Sequence, residues 1–448
     1  MGSYEKIFKA YDVRGIVPDE LDEDVAESVG AAFVRLTGAP SVVTVHDMRT
    51  SSRPLAEAFA RGATSQGADV IEGGLGSTDV LYYASGSLGM PGAMITASHN
   101  PAKYNGIKLC REGARPVGRD TGLIELRDAA AQGLPPYHGT PGVVVQRDLL
   151  SGYASHLKKL VDLSAIRPLT VAVDAGNGMA GYTVPKVFEG LPITVVPLYF
   201  ELDGTFPNHE ANPIDPQNLR DLQRAVIDSG ADIGLAFDGD ADRCFVVDER
   251  GVVVSPSVLT ALIAVRELAR EPGAAVIHNL ITSRAVPEII TEHGGIPIRT
   301  RVGHSFIKAR MAETGAVFGG EHSGHFYFRD FWYADSGMLA ALHVLAALGE
   351  QDAPLSDVLA GYGRYVATGE INSEVADQAG ATARVRAEFA GRPGVTSDEL
   401  DGLTITGDGW WFNLRPSNTE PLLRLNLEAS DEDTMLRLRD EVLGIVRG

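Results

Sequence analysis

The chain has 448 residues, 44% of them hydrophobic and 22% charged, which excludes a disordered chain and exceeds what one hydrophobic core can organise. Its formal charge of −20 argues against nucleic acid or an anionic membrane as partner, because both are bound through net basic surface. Two cysteines, Cys110 and Cys244, supply neither a disulfide framework nor a zinc site.

In chain order, the N-terminal "MGSYEKIFKAYDVRG" has neither the basic segment nor the apolar core of a signal peptide, so a cytoplasmic protein is expected. "SVVTVHD" from Ser41, the helical "LAEAFARGATSQG" and "ADVIEGG" then read as strand, helix and strand. The same grammar returns in "LTVAVDAGNG" from Leu169 with "YTVPKVFEG" and "PITVVPLYF". It appears a third time in "AAVIHNL" from Ala274 with "SRAVPEIITEHGG" and "IPIRTRV". Three β-α-β units predict three related α/β domains with largely parallel sheets and ligands near the strand ends. "WWFNLR" and "PLLRLNLEA" alternate as strands, and a helix start at Ser430 follows, predicting a smaller C-terminal α+β domain. The expected domains are 1–149, 150–253, 254–364 and 365–448. "GMLAALHVLAALG" from Gly337 is too short to span a bilayer and reads as a buried helix with His343 in its core.

Several loops carry chemistry. In "TASHNP", Pro101 biases Asn100 away from helix, so Ser98 sits on a fixed loop as a nucleophile or as a capped turn. A Ser-His hydrolase is disfavoured, because adjacent side chains in extended structure point oppositely and no G-x-S-x-G elbow exists. "GNGMAG" places Gly176, Gly178 and Gly181 on a G-x-G-x-x-G spacing, which suits an NAD-linked oxidoreductase or simply a tight turn. "DGDADRCFVVDE" puts Asp238, Asp240, Asp242 and Glu249 at calcium-hand positions 1, 3, 5 and 12. Arg243 replaces the glycine of position 6, and the flanks read as strands, so a calcium hand is rejected. Aspartates at i, i+2 and i+4 of an extended segment would face one side and repel unless a cation sat between them; all-oxygen ligands suit Mg²⁺.

Taken together, "TASHNP", "DGDADR", "GEHSGH" from Gly320 and "RPSNTEP" from Arg415 resemble, in that order, the four signature loops of the α-D-phosphohexomutases. The likeness runs from "FKAYDVRG" to the last domain. "TASHNPAKYNGIK", "FPNHEANP" and "GGEHSGHFYFRDFWYADSG" are most similar to bacterial phosphomannomutases. The resemblance implies three α/β domains and a smaller α+β domain around a central cleft. It implies a phosphoserine at Ser98 supported by His99. It also implies Mg²⁺ on Ser98, Asp238, Asp240 and Asp242, with Arg14, Lys108 and Arg243 around the phosphate. Tyr11, His304, Glu321, Ser323 and His325 would meet the sugar, His325 also being a proton-transfer candidate. Arg415, Ser417, Asn418 and Thr419 would clasp the second phosphate.

The implied reaction interconverts mannose 6-phosphate and mannose 1-phosphate through a hexose 1,6-bisphosphate, which also serves as activator. Phosphoglucomutase or dual activity is the alternative, since mannose and glucose differ only at C2. The NAD-linked oxidoreductase and a non-catalytic sugar-phosphate binding protein are the other classes. The expected partner is a phosphohexose, with no nucleic acid and no membrane, for a monomer or homodimer. Two departures from the family pattern, Ala241 where glycine is frequent and "HDMRTSS" from His46, touch no proposed ligand.

Overall fold

The three β-α-β segments form as the periodicity predicts, each with parallel strands joined by a helix. The computed structural model describes residues 2–417 and 422–448, apart from the side chains of residues 2, 3, 304 and 305. It divides into two compact units: residues 1–256 with 323–358, and residues 257–322 with 359–448.

The first unit contains two sheets. In the first, β1 (Val13–Ile16), β2 (Ser41–His46), β3 (Asp69–Leu75), β4 (Gly92–Ile95), β5 (Tyr104–Arg111), β6 (Arg115–Pro116) and β7 (Val144–Gln146) run in the order β1-β5-β4-β2-β3-β7, with β6 on β5. β3 and β4 lie on opposite sides of β2 and parallel to it. The carboxyl ends of β2 and β4 therefore flank a topological switch point, where open α/β sheets place ligands. Helix Glu23–Thr37 is capped by Asp22, whose Oδ1 accepts the Val25 amide at 2.9 Å, and it ends at Gly38 with φ 63°.

The second sheet orders β8 (Leu169–Asp174), β9 (Ile193–Leu198), β10 (Ile233–Phe237), β11 (Cys244–Asp248) and β12 (Val253–Val254) as β12-β11-β10-β8-β9. β10 and β11 are buried along their whole length, as an unbroken apolar run requires of a strand covered on both faces. Residues 323–358 add strands Phe326–Phe328 and Ala334–Asp335 and the helix Gly337–Gly349. Every residue of that helix is buried, and the His343 ring stacks on Phe328 at 5.2 Å between centroids. No described helix is long and apolar enough to cross a membrane.

In the second unit, strands Ala275–Asn279, Ile296–Thr300 and Phe318–Gly320 are parallel. A five-stranded antiparallel sheet follows, in which Val366–Glu374, Leu422–Ala429 and Trp410–Pro416 are consecutive neighbours. Phe389, Phe412 and Leu425 lie in its core. The last helix, Glu432–Arg447, is capped by Asp431 rather than Ser430: Asp431 Oδ1 accepts the Thr434 amide at 2.8 Å. A carboxylate complements the helix N-terminus better than a neutral hydroxyl.

Candidate active site

The loop after β4 carries Ser98 in the left-handed region, φ 50°. A non-glycine residue there is strained by roughly 1–2 kcal/mol and must be held by its surroundings. Thr96 Oγ1 accepts the Ser98 amide at 2.9 Å. Behind the loop the backbones touch: a Cβ on Gly239 would meet Ser98 O at 2.4 Å, and one on Gly178 would meet Gly239 O at 2.7 Å. Gly178 of "GNGMAG" thus makes room for the aspartate loop, and Met179 N donates to Gly239 O at 2.9 Å. The glycine turn has a packing role, which removes the motif that suggested a dinucleotide.

The left-handed backbone corrects one expectation. His99 does not turn away from its neighbour; its Nδ1 lies 3.1 Å from Ser98 Oγ. Burial first, then the nearby Arg243 and Arg14, push the His99 pKa down to about 2, so the imidazole is neutral. The aspartates are not on an extended segment either. Residues 238–243 form the turn between the antiparallel β10 and β11, with Ala241 at φ 56°, a conformation in which glycine is unstrained. The turn still gathers three buried carboxylates whose oxygens lie within 4.8 Å of one another.

Ser98 Oγ donates to Asp238 Oδ2 at 2.8 Å. Arg243, 2% exposed, donates from Nε to the same oxygen at 2.8 Å. Lys108, projecting from β5, donates to Asp240 Oδ2 at 2.7 Å and Asp242 Oδ2 at 2.6 Å. Burial holds Asp238 above the usual carboxylate range; against the same burial, Lys108 and His325 bring Asp242 down to about 2. Asp240 Oδ1 and Asp242 Oδ1 are buried without a hydrogen-bond partner among the described residues. Three carboxylates against two cations, with two oxygens left open, fit a hard divalent ion, and a phosphorylated Ser98 would add about −1.5 to −2 of charge. The acidic cluster could therefore bind a metal.

Other expected residues of this unit lie around the same loops. Arg14 Nη1 donates to Asn100 Oδ1 in the serine loop, and its Nη2 to Asp12. His325 Nε2 lies 3.6 Å from Asp242 Oδ1 and 3.9 Å from Asp335 Oδ2, while Ser323 Oγ is 3.0 Å from its Nδ1. Tyr11 is half-buried in the bend before β1.

In the second unit, Glu321 is buried, and its Oε1 accepts Asn279 Nδ2 at 3.4 Å and Gly303 N at 3.3 Å. His304 begins the helix His304–Thr314; its side chain lies outside the description. Arg415 Nη2 donates to Glu370 Oε2 at 3.1 Å, and Ser417 Oγ accepts Arg424 Nη2 at 3.3 Å. Asn418 and Thr419 lie outside the described residues.

Two residues escaped the sequence reading. Arg49, from the departing segment "HDMRTSS", is 3% exposed. Its Nη1 donates to the carbonyls of Pro101 and Tyr104, each at 3.0 Å, and its Nη2 to those of Ser98 at 2.8 Å and Asn100 at 2.6 Å. Its Nε faces Asp47 Oδ2 at 3.3 Å. Thr78, fully buried, donates from Oγ1 to Asp240 Oδ2 at 2.6 Å. The only signal for either was a polar cluster just past an apolar strand.

Residues 5–132, 151–251, 256–365 and 370–445 match, in turn, domains I, II and III and the C-terminal domain of phosphoglucomutase/phosphomannomutase. The chain is 41% identical over 444 residues to "Phosphohexose mutases" of Xanthomonas campestris pv. campestris, covering 98% of this chain and 99% of that one. It is 40% identical over 445 residues to a phosphomannomutase of Escherichia coli K12, covering 97% of each. A crystal structure of a phosphoglucomutase/phosphomannomutase family protein from Burkholderia thailandensis, 33% identical, superposes with a TM-score of 0.90 over 99% of this chain and 97% of that one. The α/β sheets, the serine loop against three aspartates and this near-full-length kinship agree: the chain belongs to the phosphoglucomutase/phosphomannomutase family, enzymes that move a phosphoryl group within a hexose phosphate.

Proposed function

We propose that the chain is a phosphomannomutase interconverting mannose 6-phosphate and mannose 1-phosphate, with phosphorylated Ser98 as donor and a hexose 1,6-bisphosphate as intermediate and activator. The observation that carries this reading is Ser98 Oγ, hydrogen-bonded to Asp238 and lying beside Arg243 and a neutral His99. In the first transfer, a free sugar hydroxyl attacks phosphorus, the sugar O–P bond forms and the Ser98 Oγ–P bond breaks. His325, held at Nδ1 by Ser323, takes the hydroxyl proton. The bisphosphate turns end over end and returns its other phosphoryl group to Ser98, so the chemistry is symmetric.

Asp238, Asp240 and Asp242, with an oxygen at Ser98, would hold Mg²⁺, which when bound supplies charge neutralisation for phosphoryl transfer. The chain's own residues supply the rest. Arg243 and Lys108 offset the carboxylates, His99 lies beside Ser98 Oγ, and Arg14 holds Asn100 of the same loop. Glu321 and Ser323 are assigned to the sugar hydroxyls, and Tyr11 and His304 to the same substrate. Arg415, Ser417, Asn418 and Thr419 clasp the phosphate that is not being transferred. By the family resemblance the hydroxyls that Glu321 and Ser323 grip are O3 and O4, which reads C2 weakly, so glucose phosphates are expected as second substrates. Domain boundaries are placed near 149, 253 and 364. A coupled assay on mannose 1-phosphate and glucose 1-phosphate, with Mg²⁺ and the bisphosphate, tests the reading. Turnover fastest on mannose 1-phosphate supports it, and no turnover on either sugar refutes it.

A further inference from the structure

We propose that Thr78 is a positioning residue for the metal site: its hydroxyl fixes the orientation in which the Asp240 carboxylate presents its open oxygen to the cation. The inference rests on the reading of the three aspartates as metal ligands. Thr78 is the first residue of the helix Thr78–Leu88, 162 positions from Asp240, and it is fully buried. It meets Asp240 twice. Its amide donates to Asp240 O at 2.9 Å, and its Oγ1 donates to Oδ2 at 2.6 Å. Lys108 Nζ reaches that same Oδ2 at 2.7 Å. Two donors therefore occupy one oxygen of the carboxylate, and the other, Oδ1, is left buried with no hydrogen-bond partner among the described residues. A carboxylate turned part-way about its Cβ–Cγ bond would deny Thr78 and Lys108 their acceptor, and the fully buried Thr78 hydroxyl lies out of reach of solvent that could replace it.

The donor is itself held. The branched threonine side chain has few rotamers, and the backbone contact to Asp240 sets its distance. On either side, Asp79 accepts hydrogen bonds from Ser77 Oγ, from Tyr153 OH at 2.6 Å and from Ser336 Oγ at 2.6 Å. Asp79, Ser77 and Ser336 are completely buried, as is Tyr153. The start of this helix is thus pinned to two other segments of the same unit, and Thr78 transmits that rigidity to Asp240. Lys108 supplies charge but, as a rotatable ammonium with three donors, little direction. The threonine hydroxyl supplies the direction. Partners of this kind, bonded to a ligand rather than to the ion, commonly change metal affinity by about 10–100-fold when removed.

The test compares Thr78→Val, which keeps the shape and the backbone contact but loses the donor, with Thr78→Ser, which keeps the donor. Mn²⁺ binding to the unphosphorylated full chain is titrated by electron paramagnetic resonance, with Asp240→Asn as reference. Thr78→Val is expected to weaken Mn²⁺ binding about 10–100-fold and Thr78→Ser to restore it to within about threefold. At saturating Mg²⁺, the KM for mannose 1-phosphate should stay unchanged. Wild-type Mn²⁺ affinity in a folded Thr78→Val overturns the role of Thr78 while leaving the metal site standing. Wild-type affinity in Asp240→Asn instead overturns the metal-site reading. Should Thr78→Val fail to fold, Thr78→Ala carries the same expectation and the same refutation.

Discussion

Arg49 offers the sharpest test of how the serine loop is held, through the change Arg49→Lys. The guanidinium has five N–H groups. Four contacts go to backbone carbonyls of residues 98–104, and Nε faces Asp47. Hydrogen bonds to a charged donor contribute about 1.5–3 kcal/mol each, and a buried carbonyl left unpaired costs about 1–3 kcal/mol. A lysine ammonium has three donors on a single point, so at least two of the five contacts are lost, a cost of about 2–6 kcal/mol. The cost falls on a loop whose central residue already has φ 50°. Relaxation of that loop should move Ser98 Oγ away from Asp238. Misplacement of a reacting atom by about 1 Å commonly lowers turnover about 10²-fold. The expected outcome is a kcat lower by about 10²-fold with KM for the sugar phosphate unchanged, because Arg49 is buried beneath the loop. The assay is the coupled mutase assay, run beside thermal unfolding to show that the variant is folded. A folded Arg49→Lys enzyme with a kcat within threefold of wild type, allowing about that much for measurement and context, would refute the reasoning.

The remaining predictions address other parts of the molecule. Asp240→Asn should raise the Mg²⁺ concentration needed for half-maximal turnover by at least about tenfold, read from a metal titration of kcat. Arg415→Ala should raise KM by about 10–100-fold and change kcat less, the loss of one charge-assisted contact worth about 1.5–3 kcal/mol. Burial raises the Asp79 pKa from 3.8 to about 6, above its unfolded value, so its contribution to stability is complete below pH 3.8 and is lost as pH rises through 6. That rise corresponds to about 3 kcal/mol. Denaturant unfolding should therefore show the wild type losing up to about 3 kcal/mol relative to Asp79→Asn between pH 4 and 6, and parallel curves would contradict the assignment.

Much of this architecture was legible in the chain because its strands are short apolar runs followed by small-residue turns. Ser41–His46, Leu169–Asp174 and Ala275–Asn279 all read correctly as the first strands of β-α-β units. The aspartate cluster was legible from spacing, although the reason was wrong: a turn gathers the carboxylates where an extended segment was expected. The His99 contact was missed because adjacency was judged on extended geometry, and nothing local announces that Ser98 is left-handed. That conformation is imposed from outside, by Arg49 and by the backbone of Gly239. Arg49 and Thr78 were missed for the same reason. Each acts through a partner tens to hundreds of residues away, and hydropathy patterning carries no information about such pairs. The segment "HDMRTSS", taken as an inconsequential departure, holds the residue that grips the serine loop.

The central claim is that Ser98 carries the phosphoryl group that the sugar receives. Full-length protein charged with hexose 1,6-bisphosphate and mapped by peptide mass spectrometry should bear one phosphoryl group on Ser98. When the bisphosphate carries isotopically labelled phosphoryl groups, unlabelled mannose 6-phosphate should exchange the label out of Ser98 at a rate matching turnover, while Ser98 stays phosphorylated. Steady turnover with Ser98 unmodified, or with the group on another residue, would contradict the account.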